Sequence, residues 1–71
     1  MSNFQALTSK ALIKILERKG FVHKRTKGSH YFYVHPDTGH ITVVPMHKKD
    51  LPKGTLMAIL KQAGIDKSEL Q

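Results

Sequence analysis

The sequence predicts an α+β domain in which two helices pack on one face of a three-stranded antiparallel sheet. Two segments have apolar residues at helical spacing, and each ends in glycine followed by a large apolar residue, Gly20-Phe21 and Gly64-Ile65. Between them lie three short segments rich in β-branched and aromatic residues. Their links are too short for crossover helices, so we expect a meander in the order αβββα. A chain of 71 residues has room for one domain, which we expect over residues 1–71.

The first helix is expected over residues 9–19, with Thr8 or Ser9 as its N-cap. Gly20 suits the left-handed residue that ends a helix, and Phe21 can fold back on the last turn. The apolar stripe of this helix consists of Leu12, Ile13, Ile15 and Leu16.

The three strands are expected at residues 21–26, 29–34 and 41–44, with Lys27-Gly28 as the tight link between the first two. Alternation along the middle strand places His30, Phe32 and Val34 on one face and Ser29, Tyr31 and Tyr33 on the other. Both faces hold aromatic residues. We expect the two tyrosines to face the helices and His30 to lie on the open side, because an imidazole stays hydrated more easily than two phenol rings.

The second helix is expected to start after Asp50 as its cap, with Pro52 in its first turn. Its apolar face has the spacing i, i+3, i+4 and i+7, at Leu56, Ile59, Leu60 and Ala63. Residues 66–69 could add one more turn. Double-stranded-RNA-binding domains share this element order, so the predicted architecture is double-stranded-RNA-binding-like.

The composition is strongly basic. Twelve Lys and Arg against five Asp and Glu give a formal charge of +7 and a pI near 10.0, which favours nucleic acid, anionic lipid or an acidic protein as partner, although basic surfaces also serve solubility alone. Cysteine is absent, which excludes disulfides and thiolate metal sites. Residues 1–7 lack a leader pattern, and no stretch approaches the ~20 apolar residues of a membrane span. We therefore expect a soluble cytoplasmic protein without membrane association.

The tripeptide Gly28-Ser29-His30 follows a basic run and opens the middle strand. A histidine there could accept and donate protons on a bound polyanion, whereas a buried His30 would be a core residue without a catalytic role. Ser29 cannot pair with His30 as a nucleophile, because neighbouring strand residues point to opposite faces. Its expected role is a turn or phosphate hydrogen bond, and Gly28 either admits a phosphate or only closes a hairpin.

Basic residues form two further groups that could bind phosphate, or could be plain solvated loops. These groups are Lys24, Arg25 and Lys27, and Lys48, Lys49 and Lys53. His47 lies beside the second group and could contact RNA, while His35 and His40 bracket a turn and are expected to be solvated. The five histidines do not have the spacing of a zinc site, so we expect neither a metal ion nor another cofactor.

The chain resembles the HicA-type toxins of toxin–antitoxin pairs from about Ser9 to Ile65. The resemblance rests on four segments: residues 12–21, Gly28-Ser29-His30, Val44-Pro45-Met46-His47, and residues 53–65. It implies a double-stranded-RNA-binding-like fold and a ribosome-independent mRNA interferase whose active-site histidine falls on His30. It also implies a HicB-type antitoxin that covers the active surface.

The resulting hypothesis is a metal-independent endoribonuclease that cleaves single-stranded mRNA, with His30 as general acid or base. In this hypothesis phosphate is held by the two basic groups together with Gly28, Ser29 and His47. The main alternative is a non-catalytic module that recognises A-form RNA by shape. A third possibility is an interaction domain for an acidic protein.

Overall fold

The computed structural model of the protein describes residues 6–70. Residues 1–5, which belong to the segment considered as a leader, and residue 71 lie outside the described part. The elements are α1 (Ser9–Arg18), β1 (Val22–Lys27), β2 (His30–Val34), β3 (Ile41–Pro45), α2 (Lys53–Ala63) and a short 3₁₀ helix (Lys67–Leu70). The predicted α+β class and αβββα order are confirmed, and the single domain over residues 1–71 stays a prediction. Within residues 6–70, no helix has the length and apolar character needed to cross a bilayer.

The sheet is an antiparallel meander in the order β1-β2-β3. β2 and β3 pair without interruption, whereas the pairing of β1 with β2 shifts between His23 and Arg25. This irregularity leaves Lys24 without a partner opposite it and reverses which face later β1 residues occupy. The simple alternation of side chains between the two faces is therefore broken at Lys24. The sequence alone does not indicate this break.

Both helices pack on the same face of the sheet, as predicted. Tyr33 in β2 is only 4% exposed, and Tyr31 packs against the same apolar cluster, so the expected orientation of the two tyrosines is confirmed. Apart from Tyr33, the buried apolar residues are Leu12, Leu16, Phe21, Val44, Leu51, Leu56, Ile59, Leu60, Ala63 and Ile65. Within residues 6–70, no helix covers the opposite face.

Both helices end as their Gly-apolar pairs predict. At the end of α1 the N–H of Phe21 donates to the carbonyl of Leu16 at 2.9 Å, and the N–H of Gly20 donates to Glu17 at 3.0 Å. These two bonds define a Schellman motif and bury Phe21 against the last turn. Equivalent bonds from Gly64 and Ile65 end α2, and Ile65 is buried as Phe21 is. β1 consequently begins at Val22, one residue later than predicted.

The helix starts follow the sequence only at α1. Thr8 is the N-cap of α1, and its hydroxyl accepts from the N–H of Ala11 at 3.1 Å. The prediction that Asp50 caps α2 is wrong, because α2 begins at Lys53 and Pro52 stands at the cap position. Asp50 instead forms an antiparallel bridge with Thr8. The segment before α2 is thereby held against the start of α1.

The carboxyl-terminal turn also forms, as the capping pattern in residues 66–69 suggested. Glu69 accepts from the N–H of Asp66 at 3.0 Å and from the Lys19 ammonium at 2.6 Å. The hydrogen bond from Lys19, followed by that from Asp66, lowers the pKa of Glu69. The 3₁₀ helix is thus linked to the end of α1.

Candidate nucleic-acid interface

The face of the sheet opposite the helices, called the open face below, contains three rows of cross-strand neighbours. Residues opposite each other in paired strands project from the same face, so the alternation of β2 defines each row. From one end of the sheet to the other the rows are Val22, Val34 and Ile41; Arg25, Phe32 and Val43; and Lys27, His30 and Pro45. The open face is therefore apolar at one end and cationic at the end that holds His30.

His30 is the first residue of β2 and is exposed, as predicted for the open side of the sheet. Its partner across β1 is Lys27, and its partner across β3 is Pro45. Because β2 is the central strand, the imidazole has a cationic side chain on one side and a residue without an ionisable group on the other. An anion that approaches this end of the sheet meets Lys27 and His30 together.

The link between β1 and β2 is the two-residue turn Gly28-Ser29, one residue later than expected. Gly28 has φ of +60°, while no non-glycine residue among those described has positive φ, so Ser29 does not share this conformation. This combination matches a type II′ hairpin turn, which places glycine at its first central position. A Cβ built on Gly28 would meet nothing within 4 Å. The hairpin turn alone therefore explains why position 28 is glycine, without any need for a phosphate close to it.

A shallow depression of about 560 Å³ lies beside His30 on the open face. We call it the hairpin depression, and it is lined by Lys27, Gly28, His30, Phe32 and Val43. The guanidinium of Arg25 lies over the Phe32 ring, 4.6 Å from its centre, in a cation–π contact. The hairpin depression therefore combines an apolar floor, a histidine and the cation of Lys27, with Arg25 stacked on Phe32, and none of its lining residues is acidic.

A second depression lies on the other side of the Gly28-Ser29 turn, between α1 and the segment that follows β3. We call it the loop depression, and it is lined by Thr8, Lys10, Ser29, Met46, His47 and Lys48. The N–H of Met46 donates to the carbonyl of Ser29 at 2.8 Å, which fixes the segment against the turn. The loop depression thus brings together three of the residues predicted to bind RNA, Ser29, His47 and Lys48. Lys10, which was not predicted, lies beside them.

The other predicted binding residues occupy different positions. Lys24 lies at the irregularity of β1, Lys49 lies in the segment before α2, and Lys53 is the first residue of α2. All three are exposed, but they line neither depression. The first basic group is also not centred on a loop, since Arg25 and Lys27 are strand residues whose partners are Phe32 and His30. Strand pairing, rather than loop position, brings these two cations to the site.

His35 is only partly exposed and both of its ring nitrogens are hydrogen-bonded, contrary to the expectation of a freely solvated side chain. Its Nδ1 accepts from the N–H of Asp37 at 3.2 Å, which leaves Nε2 to donate to the carbonyl of Lys19 at 3.0 Å. The ring also meets Phe21 edge to face at 5.2 Å. His35 thus completes the end of α1, whereas His40 is exposed as expected and bonds Thr38 at 2.8 Å. In the part of the chain described, no three His, Asp or Glu side chains could hold a metal ion together.

Three residues of the site were not identified from the sequence: Lys10, Phe32 and Val43. Phe32 lies two residues beyond His30 on the same face, so strand alternation could have indicated it. Val43 could be placed only once the register of β2 with β3 was known. Lys10 could not be assigned, because its place beside Ser29 and Lys48 depends on how α1 packs against the end of β3.

The fold and the open face define a small basic αβββα domain with an exposed histidine at the cationic end of its sheet. A family model described as the HicA toxin of bacterial toxin–antitoxin systems matches residues 9–65. The chain belongs to the HicA toxin family, and the resemblance seen in the sequence is confirmed. Membership gives the chain the role of toxin and implies an antitoxin partner. Comparison with curated proteins gives no significant match.

Proposed function

We propose that this toxin is an mRNA endoribonuclease, or interferase, in which His30 is the general acid and base. The observation that carries the proposal is the pairing of exposed His30 with Lys27 across the hairpin, at the cationic end of the open face. RNA is a polyanion, and a formal charge of +7 on 71 residues attracts it. Membership of a toxin family gives the activity its biological setting.

The reaction needs few groups from the protein, because ribose supplies the nucleophile. His30 takes the proton of a 2′-hydroxyl, and the 2′-oxygen attacks the adjacent phosphorus. As the new phosphorus–oxygen bond forms, the bond from phosphorus to the 5′-oxygen breaks, and that oxygen leaves with a proton returned from the imidazole. The ammonium of Lys27 stabilises the additional negative charge on the phosphoryl oxygens. The products are a 2′,3′-cyclic phosphate and a 5′-hydroxyl, with no covalent enzyme intermediate.

The two depressions give the remaining predicted residues a role in holding the strand. Arg25 and Lys27 line or border the hairpin depression, while Ser29, His47 and Lys48 line the loop depression. Phosphates on either side of the Gly28-Ser29 turn would meet cations in both. Lys24, Lys49 and Lys53 contribute through the long-range positive field. The mechanism requires no metal ion, since proton transfer and charge stabilisation are assigned to side chains.

We further propose that the antitoxin is of the HicB type and covers the open face. Strong positive charge on the toxin favours a partner with complementary negative charge. Apolar Val22 and Ile41, 54% and 53% exposed, lie at the opposite end of the same face and suit a protein partner better than RNA. An antitoxin that spans both ends would exclude RNA from His30.

The test incubates single-stranded RNA with purified protein in EDTA and identifies the ends of the fragments. We expect cyclic-phosphate and 5′-hydroxyl ends, and a loss of at least ~100-fold in cleavage rate for His30→Ala. His40→Ala is the matched control, because His40 is an exposed histidine at the β2–β3 turn. Cleavage by His30→Ala at the control rate would contradict the role of His30.

The same experiment separates the alternatives. RNA that is bound by both the wild type and His30→Ala but is never cut would identify a non-catalytic RNA-binding module. Protein that neither binds nor cuts RNA, yet binds an acidic antitoxin, would identify an interaction domain. Cleavage that is lost in EDTA and restored by a divalent cation would contradict the metal-independent mechanism.

A further inference from the structure

We infer that the hairpin depression is a nucleobase subsite, in which Phe32 stacks on the base of a nucleotide next to the cleaved phosphate. The inference rests on the proposed function, because it assigns the phosphate to His30 and Lys27. Its new content is a residue that determines which RNA can be cut. Neither family membership nor the motif containing His30 assigns a role to Phe32.

The composition of the hairpin depression suits a base better than a phosphate. Phe32 and Val43 are partners across β2 and β3 and form an apolar floor. Phe32 lies on the open face and is only partly buried, so part of its ring stays accessible. Aromatic side chains on an exposed sheet are the usual platforms on which single-stranded RNA stacks its bases. No lining residue would repel RNA by carrying negative charge.

The spacing along β2 connects this floor to the proton-transfer group. His30 and Phe32 are two residues apart on one strand face, which separates them by ~7 Å along β2. A base and the phosphate of the same or the next nucleotide are joined through one sugar and can span that gap. Base and phosphate would then be held by neighbouring rows of the sheet, with the 2′-hydroxyl between them.

Arg25 supports the same assignment. Its guanidinium lies over the Phe32 ring on the β1 side, 4.6 Å from the ring centre, so one face of the ring is already stacked against a planar cation and the base takes the opposite face. Guanidinium planes stack on bases as aromatic rings do, and the charge also attracts the phosphate backbone. The base would contact Val43 and the free face of Phe32, with Arg25 on the opposite face of the same ring.

This geometry selects single-stranded RNA. In an A-form duplex both faces of each base are covered by its neighbours, so only base edges, 2′-hydroxyls and phosphates are available. A stacking subsite therefore gains nothing from a duplex. Truncation of Phe32 should weaken binding of single strands and leave duplex affinity almost unchanged.

The chain offers a direct reporter of this stack, since it contains no tryptophan. Phe32→Trp and, as a matched control on the same face, Val22→Trp are each made with His30→Ala, so that RNA stays intact. Val22 is exposed at the far, apolar end of the open face. Titration with a short single-stranded RNA should quench the fluorescence of Trp at position 32 and leave that at position 22 unchanged. Anisotropy of labelled RNA measures binding independently.

A second variant tests the energetics. Phe32→Leu keeps an apolar side chain but removes the aromatic face, and we expect it to weaken single-stranded binding by about tenfold. Phe32→Trp should bind at least as tightly as the parent, and an equally long duplex should bind Phe32→Leu and the parent alike. An equal loss for both RNAs would mean general damage and would overturn the subsite.

The outcomes distinguish this inference from the proposed function. Quenching at position 32 without any cleavage by protein that retains His30 would keep the base subsite and reject the endoribonuclease. Cleavage together with unquenched tryptophan at position 32 and full affinity in Phe32→Leu would reject the subsite and keep the endoribonuclease.

Discussion

The hydroxyl of Ser9 accepts a hydrogen bond from the backbone N–H of His47, with 2.9 Å between Oγ and N. The same hydroxyl donates to the carbonyl of Pro45 at 2.6 Å, and Ser9 is fully buried. One side chain of α1 thus satisfies two backbone groups at the end of β3. Through these bonds α1 fixes the segment that lines the loop depression, so the stability of the fold and the shape of the site depend on the same serine.

Ser9→Ala should destabilise the protein by about 1–3 kcal/mol, because it leaves a donor and an acceptor of the backbone without their partner. The measurement is the free energy of unfolding from urea titration. Ser68→Ala is the control, since Ser68 is exposed and its hydroxyl donates to the exposed side chain of Asp66. That change should stay within about 0.5 kcal/mol. Equal stability of the two variants would mean that water replaces the Ser9 hydroxyl without cost.

The Gly28-Ser29 turn gives a second prediction about stability. Gly28→Ala should cost about 1–2 kcal/mol, because φ of +60° is unfavourable for an L-residue even though its Cβ would contact nothing. Gly54→Ala is a matched comparison, because Gly54 also has open space but lies in α2 without a positive φ. Helix propensity should make it stabilising by up to about 1 kcal/mol. If urea titrations show that the two substitutions change the free energy of unfolding in opposite directions, the result supports the positive φ of Gly28 in the turn. A change in the same direction would argue against it.

Much of the fold could be predicted from local sequence. The Gly-apolar pairs at Gly20 and Gly64 identified both helix ends, since a Schellman motif depends on a few consecutive residues. Alternation put Tyr33 and His30 on opposite faces, and the easier hydration of an imidazole assigned His30 to the open face. The start of α2 was wrong because the backbone near Asp50 pairs with Thr8, and this contact is between residues far apart in the sequence.

The site was predictable to the extent that it is local. His30, Gly28 and Ser29 are consecutive, so one motif indicated all three. The position of Arg25 beside Phe32 depends on the irregularity at Lys24, and nothing in the composition of β1 indicates it. His35 was expected in solvent because its bond to the end of α1 spans 16 residues. Tertiary pairing, not residue type, decides these roles.

Tyr33 predicts how stability depends on alkaline pH. Burial first, then the charges of Glu17 and Tyr31, raises the pKa of Tyr33 above its ordinary value of 10.0. The folded state therefore favours the neutral phenol, and its contribution is complete below pH 10.0 and is lost as the pH rises towards the folded-state pKa. Tyr33→Phe cannot ionise. Thermal unfolding at about pH 8 and pH 11 should show the wild type losing more stability than Tyr33→Phe. If the difference in stability between the wild type and Tyr33→Phe were the same at both pH values, the raised pKa of Tyr33 would be contradicted.

The loop depression predicts that Lys10 binds RNA phosphate, although Lys10 is distant in sequence from the residues that the sequence indicated for binding. Lys10 lines this depression with Ser29, His47 and Lys48, so its ammonium can neutralise a phosphate on the far side of the hairpin turn from His30. Measured with His30→Ala as the parent, Lys10→Gln should weaken binding of single-stranded RNA. It should also make the slope of log affinity against log salt shallower by about 0.7, the value for one phosphate contact on a single strand.

Lys67→Gln removes the same charge from the 3₁₀ helix and is the control for the total field of the protein. Because Lys67 lines neither depression, its loss should change affinity only slightly and leave the salt slope unchanged. If the two glutamine variants lower affinity and slope equally, Lys10 acts only through the net charge. A larger effect at Lys10 would place a phosphate in the loop depression, so that the RNA strand crosses the Gly28-Ser29 turn on its way to His30.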